Sequence, residues 1–108
     1  MITDDEIEKA LDYLRDSAKD SAQAKANRIY LEEYRKCLKA KLFNEANDRL
    51  SIAAREAYAY DHLEYRTHIE ALKEAVFEDE KGRFLRVAAE AKIEAWRSLS
   101  ANIRGMRV

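Results

Sequence analysis

The densest cluster of residues able to hold a metal or move a proton is Asp61, His62, Glu64 and His68. Glu64 and His68 stand four apart and would share a helix face. Di-iron carboxylate bundles instead pair Glu with His three apart, on two helices, with further glutamates. Only one half of an imperfect match exists here, so the cluster reads as a solvated helix start with two surface or interfacial histidines. Cys37 neighbours Leu38 on an apolar stripe, with Lys36 and Lys39 beside it. Cations can lower a thiol pKa, but a buried thiol is inert, and a packing role is expected. No Ser, Thr or Cys sits at a glycine-bearing strand-to-helix turn. Gly82 and Gly105 are the only glycines, too few for a phosphate-cradling loop. The expectation is a protein with no catalytic residue, no metal and no cofactor.

Basic and aromatic residues interleave at two places. Tyr30 and Tyr34 lie one helical turn apart among Arg28, Arg35, Lys36, Lys39 and Lys41, a pattern that can stack bases and meet phosphates. Arg97, Arg104 and Arg107 gather near the C-terminus with few acids around them. Arg97, Arg104, Arg107, Tyr30, Tyr34 and Arg35 are therefore the nucleic-acid candidates. A plainer reading competes with each group. The tyrosines would pack inside the fold while the bases meet Glu70, Glu74, Glu78 and Glu80, and arginine at a helix C-terminus answers the helix dipole.

The elements that must position these residues are helices. The chain has 108 residues, no proline and two glycines, so it holds few tight turns. A sandwich, barrel or βαβ fold is excluded on that ground. Six Tyr, three Phe and one Trp supply the burial that disordered chains lack. Thr3 and Glu6 have capping-box spacing, Ile2 and Ile7 could close a hydrophobic staple, and Asp4, Asp5 and Glu6 suit a first turn. A helix over about 4–46 follows, with its face on Ile7, Leu11, Leu14, Ala18, Ala22, Ala26, Ile29, Tyr30, Tyr34, Leu38 and Leu42. Asn44 to Ser51 is the best break, and Ser51 can cap a short helix over about 52–58. Asp61 and Glu64 have the spacing of another capping box. A last helix over about 62–104 would present Tyr65, Ile69, Leu72, Val76, Phe84, Val87, Ala88, Ala91, Ala95 and Leu99, with Gly105 just past its end.

Charge falls into blocks: −4 over 1–20, +3 over 21–49, −5 over 50–80 and +5 over 81–108. Folding the chain back near residue 54 sets each block beside its opposite. This selects an antiparallel alignment more than it stabilises one, since exposed pairs are worth under about 1 kcal/mol. In that alignment Ala22 and Ala26 fall opposite Phe84 and Gly82, and Leu11 opposite Trp96. The expected fold is all-α: a single domain over 1–108, built as a long, coiled-coil-like antiparallel helical hairpin with a short connecting helix. One seam cannot cover all its apolar surface, so self-association into a helical bundle is expected, with Tyr13, Tyr58, Tyr60, Phe77 and Trp96 as interface candidates.

No apolar run approaches a membrane span, and the opening Met1-Ile2-Thr3-Asp4-Asp5-Glu6 is acidic where a signal peptide is basic. With one cysteine, this gives a soluble, cytoplasmic expectation and no membrane partner. Three segments carry a resemblance: Arg55-Glu56-Ala57-Tyr58-Ala59, His68-Ile69-Glu70-Ala71-Leu72, and Ala91-Lys92-Ile93-Glu94-Ala95-Trp96-Arg97-Ser98. Over residues 55–104 the chain resembles small helical proteins of bacteriophages and prophages. The resemblance implies a phage protein working in the cytoplasm of a bacterial host. The expected function is non-enzymatic interaction through helical surfaces, with a second copy or with a protein of phage or host origin. The alternative is a nucleic-acid-binding accessory of phage recombination or replication.

Overall fold

A computed structural model describes residues 1–106. The chain is an all-α helical hairpin of four helices with no strand among the described residues. Thr3 caps α1 (Asp4–Asp16), its hydroxyl accepting the Glu6 N–H at 3.2 Å. Helix α2 spans Ala18–Glu45. The expected single helix over 4–46 is thus divided at Ser17. The division is slight, because the Ser17 N–H still reaches the Tyr13 carbonyl and the Ser17 carbonyl still accepts from Ser21, both at 2.9 Å. Neither side chain takes up the backbone there: Asp16 Oδ1 accepts from Arg15 Nε at 2.9 Å, and the Ser17 hydroxyl is buried with no hydrogen-bond partner among the described residues.

The connection after α2 is held by Asn47, whose Oδ1 accepts the Arg49 N–H at 2.9 Å. Ser51 then caps α3 (Ile52–Asp61), accepting the Ala54 N–H at 3.1 Å. This helix runs three residues past the expected 58. The capping box expected from Asp61 and Glu64 does not form. Asp61 ends α3 and pairs with Arg66, while His62 Nδ1 accepts the Glu64 N–H at 3.0 Å and so caps α4 (Leu63–Met106). Gly105 lies within α4 and is not its terminator.

The described chain forms two compact units. Unit 2, residues 23–79, packs α2 against α3 and the first part of α4. Its core is Leu38, Leu42 and Ala59, with Phe43 and Tyr65 against it. Unit 1, residues 1–22 and 80–108, packs α1 and the start of α2 against the later part of α4, burying Ile7, Ala10 and Ala89.

The covered positions step by three and four, the spacing of a coiled-coil seam. In unit 2 these are Ala24, Arg28 and Leu31 and then, past the exposed Arg35, Leu38 and Leu42, with Tyr65, His68, Leu72, Ala75 and Asp79 on α4. In unit 1 they are Ile7, Ala10, Leu14, Ser17 and Ser21 facing Gly82, Arg86, Ala89, Ile93 and Trp96. Leu11, Ala18, Ala22, Ala26, Ile29, Tyr30, Tyr34 and Cys37, all placed on the expected apolar face, are exposed. So are Phe84, Val87, Ala88, Ala91, Ala95 and Leu99. The expected register also shifts: Gly82 faces Ser21, not Ala26.

Gly82 sits inside α4 without a positive φ, and a Cβ there would meet Ser21 Oγ at 3.7 Å and Arg86 Nη1 at 3.8 Å, ordinary contacts. Glycine in a helix interior costs about 0.5–1 kcal/mol relative to alanine. Gly82→Ala is therefore expected to raise stability by about that amount in urea denaturation. A loss would show that Gly82 serves close packing against Ser21.

Candidate functional site

In unit 2 three cations project from one region of α2: Arg35, Lys36 and Lys39. They line a cleft of about 340 Å³ with Tyr60, from the end of α3, and Tyr65, from the first turns of α4. The two tyrosine rings meet edge to face, with centroids 5.3 Å apart. Lys39 Nζ lies 4.7 Å from the Tyr60 ring centroid, within the reach of a cation–π contact. The Tyr60 side chain is the main cause of a Lys39 pKa raised above the ordinary lysine value, with Glu56 adding to it, so Lys39 is fully charged at neutral pH.

The cleft exists because the α3–α4 junction is bent at His62. That residue leaves the helical region with ψ of 140°, so Tyr60 and Tyr65, five apart in sequence, turn toward each other. Arg35 occupies a seam position between Leu31 and Leu38, yet it is exposed and makes no ion pair among the described residues. Lys36 meets Glu33 at 3.4 Å on the exposed surface.

The nucleic-acid candidates read from the sequence do not gather in one place. Tyr30 and Tyr34 stack on each other with centroids 6.0 Å apart, and Tyr34 also touches the His68 ring at 5.4 Å. Arg35, about 140° around the helix from Tyr30, joins the cleft instead. Arg97 pairs with Glu94 at 3.3 Å, and Arg104 lies exposed in the last turn of α4, both in unit 1. Arg107 lies outside the described residues. Two of the α2 bases meet acids other than the expected Glu70, Glu74, Glu78 and Glu80. Arg28 meets Glu32 at 2.9 Å and Asp79 at 3.3 Å, and Lys41 meets Glu64 at 3.4 Å.

Of the histidines, His68 is 8% exposed, and its Nε2 lies 2.7 Å from the Leu31 carbonyl, to which it donates. His62 is consumed by its capping bond. No group of three or more His, Cys, Asp or Glu among the described residues is placed to hold a metal ion. No helix of the described residues is long and apolar enough to cross a membrane.

The interface candidates separate as well. Tyr13 is half-buried and lines a groove in unit 1 with Leu85, Ala88 and Lys92, while Trp96 is half-buried at a seam position. Tyr58 packs its ring edge-on to His62, Tyr60 belongs to the cleft, and Phe77 is 59% exposed. The cationic half of the cleft was visible in the sequence. Its tyrosines were not, because only the bend at His62 brings them there. No family model, curated protein or solved structure matches the chain.

Proposed function

We propose that the chain is a non-enzymatic interaction protein whose α4 outer face associates with a second copy, giving a helical bundle. The observation that supports this reading is a second apolar face on α4, away from the seam. Phe84 is 61% exposed, Val87 and Leu99 are each about half exposed, and the exposed Ala91 and Ala95 lie between them, with Ala88 at the edge toward the Tyr13 groove. Monomers rarely leave so continuous an apolar stripe in water. Alanines let two helices approach closely, and the sequence suits an antiparallel copy centred near Ala91. Ala88 then faces Ala95, and Phe84 faces Leu99. A protein of phage or host origin would use the same face, and the bacterial cytoplasm is the proposed setting.

Sedimentation velocity over a wide concentration range tests the reading. The expected result is a species of twice the 12.6 kDa chain mass at micromolar concentration. Phe84→Glu with Ala88→Glu should yield a monomer of unchanged helicity. A wild-type chain that stays monomeric at every concentration overturns the proposal.

The nucleic-acid reading has less support at the residues first assigned to it, since Arg97 is ion-paired and Tyr30 and Tyr34 stack on each other. What favours it is Arg35, the one described member of that set that lines the cleft with Lys36 and Lys39.

A further inference from the structure

We infer that the cleft formed by Arg35, Lys36, Lys39, Tyr60 and Tyr65 binds the phosphate of a nucleotide, with the tyrosines beside the base. Three features carry the inference. First, Arg35 stands where the seam spacing calls for an apolar residue. It makes no ion pair among the described residues, although Arg28, seven residues earlier on the same stripe, is paired to Glu32 and Asp79. A guanidinium offers a planar fork that matches two phosphate oxygens, and such charge-assisted pairs are the strong ones.

Second, Lys36 and Lys39 border the same space, so a phosphate there meets three cations. Two acids act on these lysines: Glu33, which meets Lys36 on the exposed surface, and Glu56, whose charge reaches Lys39. Third, the wall facing the cations is aromatic. Tyr60 and Tyr65 line the cleft with their rings, Lys39 already lying 4.7 Å from the Tyr60 centroid, and a base can stack on the ring surface that remains. An ordinary acidic peptide would use the cations and leave the rings idle. The volume of about 340 Å³ falls at the small end of the ~300–1,000 Å³ range of ligand clefts, which suits one nucleotide and excludes a duplex.

The nucleotide could be free or be the end of a single strand, and the experiment separates the two. Full-length protein is titrated, at about 0.1 M salt, with inorganic phosphate, adenosine 5′-monophosphate, and a fluorescent oligothymidylate with or without a 5′-phosphate. The expected result is that the monophosphate binds at least tenfold more tightly than inorganic phosphate. Arg35→Ala should weaken that binding tenfold or more with helicity unchanged. Tyr60→Ala should remove the preference over inorganic phosphate. A 5′-phosphorylated oligonucleotide binding more tightly than both the monophosphate and its unphosphorylated counterpart supports a strand end as the source. The reverse order supports a free nucleotide. No saturable binding of the monophosphate or the 5′-phosphorylated oligonucleotide overturns the inference. An equal loss on Lys19→Ala, remote in sequence and outside the cleft, also overturns it, since the binding would then be diffuse electrostatics.

Discussion

Replacing Leu42 with alanine is expected to lower the unfolding free energy by about 2–5 kcal/mol, the largest effect of any single truncation in the chain. Leu42 is 0% exposed and packs with Leu38 and Ala59, while Phe43 and Tyr65 close over the cluster. The apolar residues buried in unit 2 are few and small, so a void at Leu42 has little around it that can collapse inward. Urea denaturation should show a lower midpoint with an unchanged slope, the sign of lost stability without a changed unfolded state. Leu11→Ala provides the contrast. Leu11 is 52% exposed, and its truncation should stay within about 0.5 kcal/mol. Equal losses in the two variants would mean that Leu42 does not anchor the unit 2 core.

Enlarging Ala59 to leucine is the complementary case, expected to cost about 1–3 kcal/mol through overpacking. Ala59 is also 0% exposed and faces Leu38 and Leu42 from α3. No space exists there for a branched side chain, so α3 has to move outward. For a domain of this size, each kcal/mol lowers the melting temperature by roughly 4–8 °C. Thermal unfolding followed by circular dichroism reads the change directly. A melting temperature equal to or above that of the wild type would mean that α3 sits more loosely on α2 than its burial indicates.

The helix types and the caps at Thr3 and Ser51 were legible in the sequence because they depend on neighbours in the chain, whereas the cap expected at Asp61 falls to His62. Thr3 and Ser51 act where their spacing to the following turn placed them. The phase of the long helices was not legible, and the reason is physical. Hydrophobicity locates a seam only when the seam is the most apolar stripe. Here Asp79, Gly82 and Arg86 lie on the covered side, while Phe84, Leu85 and Val87 lie outside. A reading that follows apolar residues is drawn to the outer face, and the register drifts with it. The cleft was half legible for a related reason. Arg35, Lys36 and Lys39 are close in sequence, whereas Tyr60 and Tyr65 reach them through a helix junction whose bend depends on the His62 side chain.

The order of the units along the chain has a consequence for how the fold can assemble. Unit 1 draws its two segments from residues 1–22 and 80–108, so unit 2 is the whole of the connection between them. Closing a flexible connection costs entropy that grows with the logarithm of its length. While unit 2 is unfolded, that cost falls entirely on the contacts of Ile7, Ala10 and Ala89, which are few. Once Leu38, Leu42 and Ala59 come together, the long connection is replaced by a folded one and the terminal segments close against a smaller penalty. Unit 2 is local in sequence and unit 1 is not, so topology favours assembly from the middle of the chain outward.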